Sequence, residues 1–438
     1  MDRSRGKEYN AHMASPVAFV LTHRSVADPD AYSASFQALH IARSLGRRGI
    51  PVVRIHPGRR ELSLNSRYCT RAVLSPNVHD SEKALLDFLL ELAREYDGTR
   101  VLLAASDETA HFIGRYREEL LAAYRVPGPG SVMETIIDKR LQYGAARALG
   151  IPIPETYFPA DASEAQALAG TLRGYPYIIK PNVAHHWRLA AVKKHLKSAG
   201  TVKAVVVHDA EQLIQEYRRI SAVDAAVMIQ KVIPGGDERL FCFYGYFDER
   251  SRMLGCCVRH KLRQLPLHFG YSTALQSCEN DTVVEQSVRL LQGLNYHGIV
   301  GIEWKHDPES GETKLIEINA RATNAVALPT ACGVDLPYMA FAEAVGQPVA
   351  PVKGWKTGVK WLWFIEDLWA ARELGLGSLE WLKSLRGPKC YAVWAADDPT
   401  PFLVDFGLLL KAQLGRKVRR FRGGVQLNSR SNSPRTTW

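Results

Sequence analysis

Apolar positions along the first third of the chain follow two alternating periods. PVAFVLT (16–22), PVVRIHP (51–57) and VLLAAS (101–106) are apolar runs of strand length. Between them, SFQALHIARSLGRRG (35–49) and SEKALLDFLLELAREYDG (81–98) carry apolar residues three and four apart, and DETAHFIGRYREEL (107–120) continues that pattern. Strands separated by amphipathic helices imply a parallel sheet, and so an α/β, Rossmann-like N-terminal domain over 15–128. Its first turn, THRSVADPD (22–30), contains no G-x-G-x-x-G, so nothing there indicates a dinucleotide.

The pattern changes after VPGPGS (126–131). Ser131 followed by Glu134 predicts a capping box that opens one helix over 132–149, which Gly150 and Pro152 terminate. Short strands then dominate: YPYIIKP (175–181), VKAVVVHD (202–209), AVMIQKVIP (226–234), LFCFYGYFD (240–248), MLGCCVRHKLRQ (253–264), GIVGIEWKHD (298–307) and TKLIEINA (313–320). They predict an α+β domain over 129–348. A Trp-rich stretch, 349–410, is expected to form a small C-terminal subdomain. Within it GWKTGVKWLWFIEDLWAA (354–371) looks membrane-like, but Lys356, Lys360, Glu366 and Asp367 interrupt it too early to span a bilayer, and it reads as a strand and helix. Residues 1–14 are polar and predicted to be disordered.

Charge sits oddly on two of these strands. DPESGET (307–313) is turn-forming, and a hairpin folded there sets Glu303 opposite Glu317. Strand alternation puts Ile302, Trp304, Ile316 and Ile318 on one face and Glu303, Glu317, Asn319 and Arg321 on the other. Two carboxylates about 5 Å apart repel by about 3 kcal/mol at an effective dielectric near 20. Mg²⁺ held by oxygen ligands would offset that, and so would exposure to screening solvent. Other cations add to the picture. Lys180 ends an apolar strand, Lys139 sits on a helix, and Arg259, Lys261 and Arg263 fall on one strand face, where an anion would relieve their repulsion. For a lone lysine, snorkelling to solvent or a solvated helix face is the commoner reading.

Composition narrows the function class. The net charge is +11, yet eight basic residues and no acidic one lie in 411–438, which leaves only +3 for the preceding 410 residues. The basic character is thus a tail property, read as a solvated tail, and nucleic acid is not the expected partner. Seven scattered cysteines without a C-x-x-C pair favour a reducing, cytoplasmic setting. No membrane partner is expected.

Taken in order, these elements resemble the ATP-grasp superfamily: the helix lysine Lys139, the strand lysine Lys180, the hinge strand around Gln230 to Gly235, a basic strand, the carboxylate Glu303, and an E-x-N-x-R motif of Glu317, Asn319 and Arg321. The resemblance covers about 130–345, and the preceding domain looks like the one that usually precedes the grasp. It implies that Lys139 and Lys180 bind ATP phosphates, that Gln230, Lys231 and Ile233 hold adenine with Glu238 near the ribose, and that Glu303, Glu317 and Asn319 ligate two Mg²⁺, with Mn²⁺ as a substitute. Arg321, with Lys261 or Arg259, would meet the transferring phosphoryl group and a substrate carboxylate. The glycine-rich lid of the family is replaced by NVAHHWRLAAVKKHLKSAGT (182–201), with one glycine, Gly200. The nearest branch is the carboxylate–amine ligases related to D-aspartate ligase, which join a small carboxylate to an amine through an acyl phosphate. Carboxylation, phosphotransfer and a non-catalytic nucleotide- or polyanion-binding role are the alternatives, and a homo-oligomer is left open.

Overall fold

Strand β1, Val17–Leu21, is buried at all five positions because both its faces are covered. Ala18 and Val20 pack towards the helix Phe36–Gly46, whereas Val17, Phe19 and Leu21 pack under the helix Glu82–Ala93. The computed structural model describes residues 15–25, 32–183, 186–188, 192, 196, 204–267 and 270–409. The expectations for 1–14, for 411–438 and for most of 182–201 therefore lie outside the described residues.

β1 pairs in parallel with β2 (Val52–His56) and β4 (Arg100–Ala104), and β2 pairs in parallel with β3 (Arg71–Leu74), giving the order β3-β2-β1-β4. The sequence pattern missed β3. It is a four-residue edge strand, mostly exposed, so no apolar run marks it. In that order the connections leave β1 in opposite directions, which opens a crevice beyond the carboxyl ends of β1 and β4.

A second, antiparallel sheet holds β5 (Thr156–Tyr157), β6 (Tyr177–Pro181), β7 (Val205–Val207) and β8 (Val227–Lys231), in the order β5-β8-β6-β7. The helices Ala162–Thr171 and Ala210–Ser221 cover it. The third sheet has seven strands: β9 (Leu240–Phe247), β10 (Met253–Leu265), β11 (Tyr271–Ser277), β12 (Gly298–His306), β13 (Thr313–Asn319), β14 (Lys360–Leu362) and β15 (Lys389–Tyr391). Their order is β13-β12-β9-β10-β11-β14-β15. One face of this sheet is apolar: Phe243, Val258, Val300, Ile302, Trp304 and Ile318 pack on the helix Asp281–Gly293. Trp304 is fully buried there, and its indole N–H donates to Ser287 Oγ at 3.0 Å. Among the described residues of this C-terminal segment, 349–409, there is no separate sheet, because β14 and β15 extend the large sheet. Among the described residues no helix is long and apolar enough to cross a membrane.

Four local expectations are corrected. The single helix over 132–149 is two, Met133–Ile137 and Lys139–Ala148, because Asp138 is extended and caps the second with its carboxylate. The Ser131/Glu134 capping box is absent, since Val132 holds the first N-cap position without a side-chain bond. In the hairpin a bulge follows Glu303 and Glu317, so that Trp304 pairs with Leu315; Leu315, not Ile316, is the buried partner. Arg263 likewise does not share a face with Arg259 and Lys261. The pairing of β10 with β11 shifts between Lys261 and Arg263, and Arg263 turns to Asp367, donating twice at 2.8 and 2.7 Å.

That pair is 6% and 0% exposed, and Asp367 also accepts from Thr273 Oγ1 at 3.0 Å and Trp381 Nε1 at 2.8 Å. It ties the C-terminal segment to the sheet. Asp367→Ala should lower unfolding free energy by about 3–5 kcal/mol, since it strands a buried guanidinium. Urea denaturation of the variant measures this, and a loss below about 1 kcal/mol would remove the pair from the set of major stabilising contacts.

Candidate active site

The polar face of the large sheet carries a row of side chains set by backbone register. Glu317 of β13 lies opposite Glu303 of β12, Glu303 lies opposite Cys242 of β9, and Cys242 lies opposite Arg259 of β10. One row away, Asn319 lies opposite Gly301, where a Cβ would meet Thr323 at 2.8 Å and Tyr244 at 3.0 Å. Glycine there leaves Asn319 without a cross-strand side chain. Cys242, Arg259, Lys261 and Glu303 line one small pocket, together with Leu240, Phe241 and Leu275.

Two lysines reach this row from other elements. Lys139 is the first residue of its helix, placed there by the break at Asp138. Its N–H donates to Asn182 O at 3.0 Å, just beyond β6. Its ammonium, on a side chain 8% exposed, donates to Glu317 Oε1 at 2.7 Å. Burial pushes the Glu317 carboxyl up, but the charge and hydrogen bond of Lys139 outweigh it and hold the group below the usual carboxylate range. Lys180 of β6 is pushed down to about 8, first by burial and then by Lys139, while Glu317 and Glu303 draw it back up. The opposed carboxylates are thus matched by two ammonium groups.

Arg321 follows β13. It donates from Nε to Asp107 Oδ1 at 2.6 Å and from Nη2 to Asn319 Oδ1 at 3.3 Å. Asp107 begins the helix Asp107–Arg115 beyond β4, so the ion pair joins the parallel sheet to the polar row. Arg259 lies 6% exposed with its guanidinium 4.1 Å from the Tyr244 ring centroid. Burial works against its charge, but the Tyr244 phenol and Cys242 thiol raise its pKa above the ordinary arginine value. Lys261 donates to Gln264 Oε1 at 3.0 Å.

The hinge residues stand differently. Gln230 is 1% exposed and its amide donates to Tyr143 Oη at 3.1 Å and Thr156 Oγ1 at 2.9 Å, so its side chain is committed to the core. Lys231 gives its N–H to Glu155 O at 2.9 Å, and Ile233 is buried. Glu238 is exposed and accepts from its own loop, Gly236 N, at 3.2 Å. The polar row and the hinge are linked by Lys305, whose ammonium donates to Ile233 O and Gly235 O, both at 2.7 Å. Sequence reasoning missed Lys305 and Asp107. Lys305 was within reach, since it is two residues from Glu303 on the same face; Asp107 carries no local signal.

Residues 258–364 match the family described as "ATP-grasp in the biosynthetic pathway with Ter operon". That stretch of the chain is similar to ATP-grasp proteins. It is 24% identical over 271 residues to a D-aspartate ligase of Enterococcus faecium (strain Aus0004), covering 59% of this chain and 62% of that protein. It is 27% identical over 217 residues to the C-terminal section of a carbamoyl phosphate synthase large chain of Methanopyrus kandleri, covering 47% of this chain and 36% of that one. The chain therefore spans less than two thirds of the length of either relative. Its fold is similar to the crystal structure of an L-amino acid ligase from Bacillus licheniformis, with a TM-score of 0.55, 15% identity, and coverage of 76% of this chain and 75% of that one. The matched stretch includes Arg259, Lys261, Glu303, Glu317, Asn319 and Arg321.

The depressed Lys180 makes a pH signature. Its folded value near 8 lies below the ordinary 10.5, so the unfolded chain binds the extra proton between those values and stability rises with pH across that window. Lys180→Met removes the burdened charge. It should be more stable than the wild type near neutrality, with the gap closing as pH rises from about 8 towards 10. Melting temperatures of both proteins across that range check this, and a pH-independent gap would contradict it.

Proposed function

We propose that this protein is an ATP-dependent carboxylate–amine ligase, in which ATP phosphorylates a small carboxylate and an amine captures the acyl phosphate. The observation that carries the reading is the direct opposition of Glu303 and Glu317 beside Lys139 and Lys180. A chain does not gain stability from two facing carboxylates, and two lysines have to be brought in from separate elements to balance them. Such a cluster suits a polyphosphate with its metal.

The donors fit Mg²⁺. Glu303, Glu317 and Asn319 are hard oxygen ligands, and burial raises the neighbouring Cys242 thiol, which keeps it protonated and outside the ligand set. Those three residues would hold the ion, which neutralises phosphate charge when bound. Lys139 and Lys180 would bind the phosphates as point charges. The hinge would hold the base through Lys231, Ile233 and their backbone, with Gln230 acting through the core and Glu238 reaching the ribose. Lys305 fixes the hinge carbonyls relative to β12. Arg321, held in place by Asp107, and the basic pair Arg259 and Lys261 would receive the substrate carboxylate and the transferring phosphoryl group.

The chemistry then needs no side-chain nucleophile. A carboxylate oxygen attacks the terminal phosphorus, and the bond to ADP breaks. The amine nitrogen attacks the acyl carbon, phosphate leaves, and the nitrogen gives up a proton to form the amide. Residues 15–128 would supply one wall of the cleft through Asp107.

Two measurements test this. ADP release should require both a carboxylate and an amine, so a matrix of small acids against amino acids and other amines should contain at least one active pair. Turnover that instead depends on bicarbonate and ignores amines would replace ligation by carboxylation. Glu317→Gln should lower ATP turnover by more than about a hundredfold, with the far-ultraviolet circular dichroism unchanged. Turnover within about threefold of wild type would remove Glu317 from metal binding.

A further inference from the structure

The crevice at the carboxyl ends of β1 and β4 carries a second cluster that the proposed ligase chemistry does not use. His23 follows β1, Glu108 lies in the first turn of the helix Asp107–Arg115 beyond β4, and His79 comes from the loop before the helix Glu82–Ala93. One ligand atom from each of His23, His79 and Glu108 lies within 4.8 Å of the others.

We infer that His23, His79 and Glu108 form a site for a divalent transition-metal ion of the zinc type. Two imidazoles with one carboxylate form a donor set such ions prefer, whereas Mg²⁺ prefers oxygen alone. Ligand bonds of about 2.0–2.1 Å at tetrahedral angles place donor atoms about 3.3 Å apart. His23 Nδ1 lies 3.2 Å from Glu108 Oε2, so that edge of the tetrahedron is already in place. Only His79, an exposed side chain whose ring centroid is 5.6 Å from that of His23, has to turn inward.

The surroundings are those of a held ligand set. His23 Nε2, the nitrogen turned away from Glu108, lies 2.8 Å from Ser25 Oγ. A metal-bound imidazole is normally oriented by such a bond on its other nitrogen. The two histidine loops are clamped together by Asn77, whose amide accepts from Arg24 N and donates to Arg24 O, both at 3.2 Å. Glu108 is set by the capping pair Ser106 and Thr109, and Thr109 Oγ1 also donates to Leu21 O at 3.3 Å. Three donors leave one coordination position for water or a ligand. Because Glu108 follows Asp107, an ion here would also anchor the turn from which Asp107 grips Arg321.

The test uses the full chain, stripped with a chelator and titrated with Zn²⁺ against a chromogenic competitor in excess Mg²⁺. One tightly bound Zn²⁺ per chain is expected. His23→Ala and His79→Ala should each weaken it by more than about tenfold, and Co²⁺ should give a visible spectrum with imidazole character in wild type only. Glu317→Gln should leave Zn²⁺ binding unchanged, which separates this site from the proposed magnesium site. Zn²⁺ should raise the melting temperature of wild type and not that of His79→Ala, whose exposed side chain makes little contribution to folding. Absence of a tight Zn²⁺, or an affinity unaltered in both histidine variants, overturns the assignment. So does loss of binding in Glu317→Gln.

Discussion

Two carboxylates held face to face, Glu303 and Glu317, are the constraint around which the rest of the site is arranged. Their opposition follows from backbone pairing of β12 and β13 and cannot be relaxed by a rotamer change alone. The balancing charge comes from elsewhere: Lys139 from a helix start and Lys180 from the second sheet. Lys139 is buried and Lys180 half-buried against their own preference, and the lowered Lys180 value records that cost. Three elements distant in sequence must therefore converge before the charge cluster closes. The Lys139 N–H bond to Asn182 O is the hinge of that convergence, since it joins the helix start to the end of β6.

Small irregularities decide which side chains reach the cluster. The extended Asp138 starts a new helix at Lys139 and so aims its side chain at Glu317; an unbroken helix would place that residue within a turn. The bulge beyond Glu303 and Glu317 restores Trp304 and Leu315 to the core after the carboxylates have faced the cleft. The shift in β10 removes Arg263 from the cationic row and commits it to Asp367, leaving Arg259 and Lys261 beside Glu303. In the two strands one residue of register changes the face of the side chains that follow.

The crevice beyond the parallel sheet belongs to the same arrangement. Asp107 extends from it to Arg321, and Glu108, the next residue, reaches His23. A single helix turn thus borders both the polar row and the imidazole cluster. The strand order β3-β2-β1-β4 is what opens the crevice that holds that turn.

Much of this was legible in the chain. Apolar runs separated by helical periods marked β1, β2 and β4, and the turn at 307–313 was enough to align Glu303 with Glu317, because hairpin register follows from turn position and a period of two. Residues whose meaning depends on one element, such as Glu303, Asn319 and Trp304, were readable for that reason. The short edge strand β3, the break at Asp138 and the two bulges were not, since each is a backbone response to packing that no residue type announces. Nor could sequence pair Arg321 with Asp107, 214 residues away, or gather His23 and His79 from two loops and Glu108 from a helix start. Local periodicity and turn chemistry by themselves determined most of the strands, their faces as far as the bulges, and the opposed carboxylates. Which distant charges and imidazoles meet them was decided only when the three sheets packed, because burial and proximity across the chain belong to tertiary contact rather than to order along it.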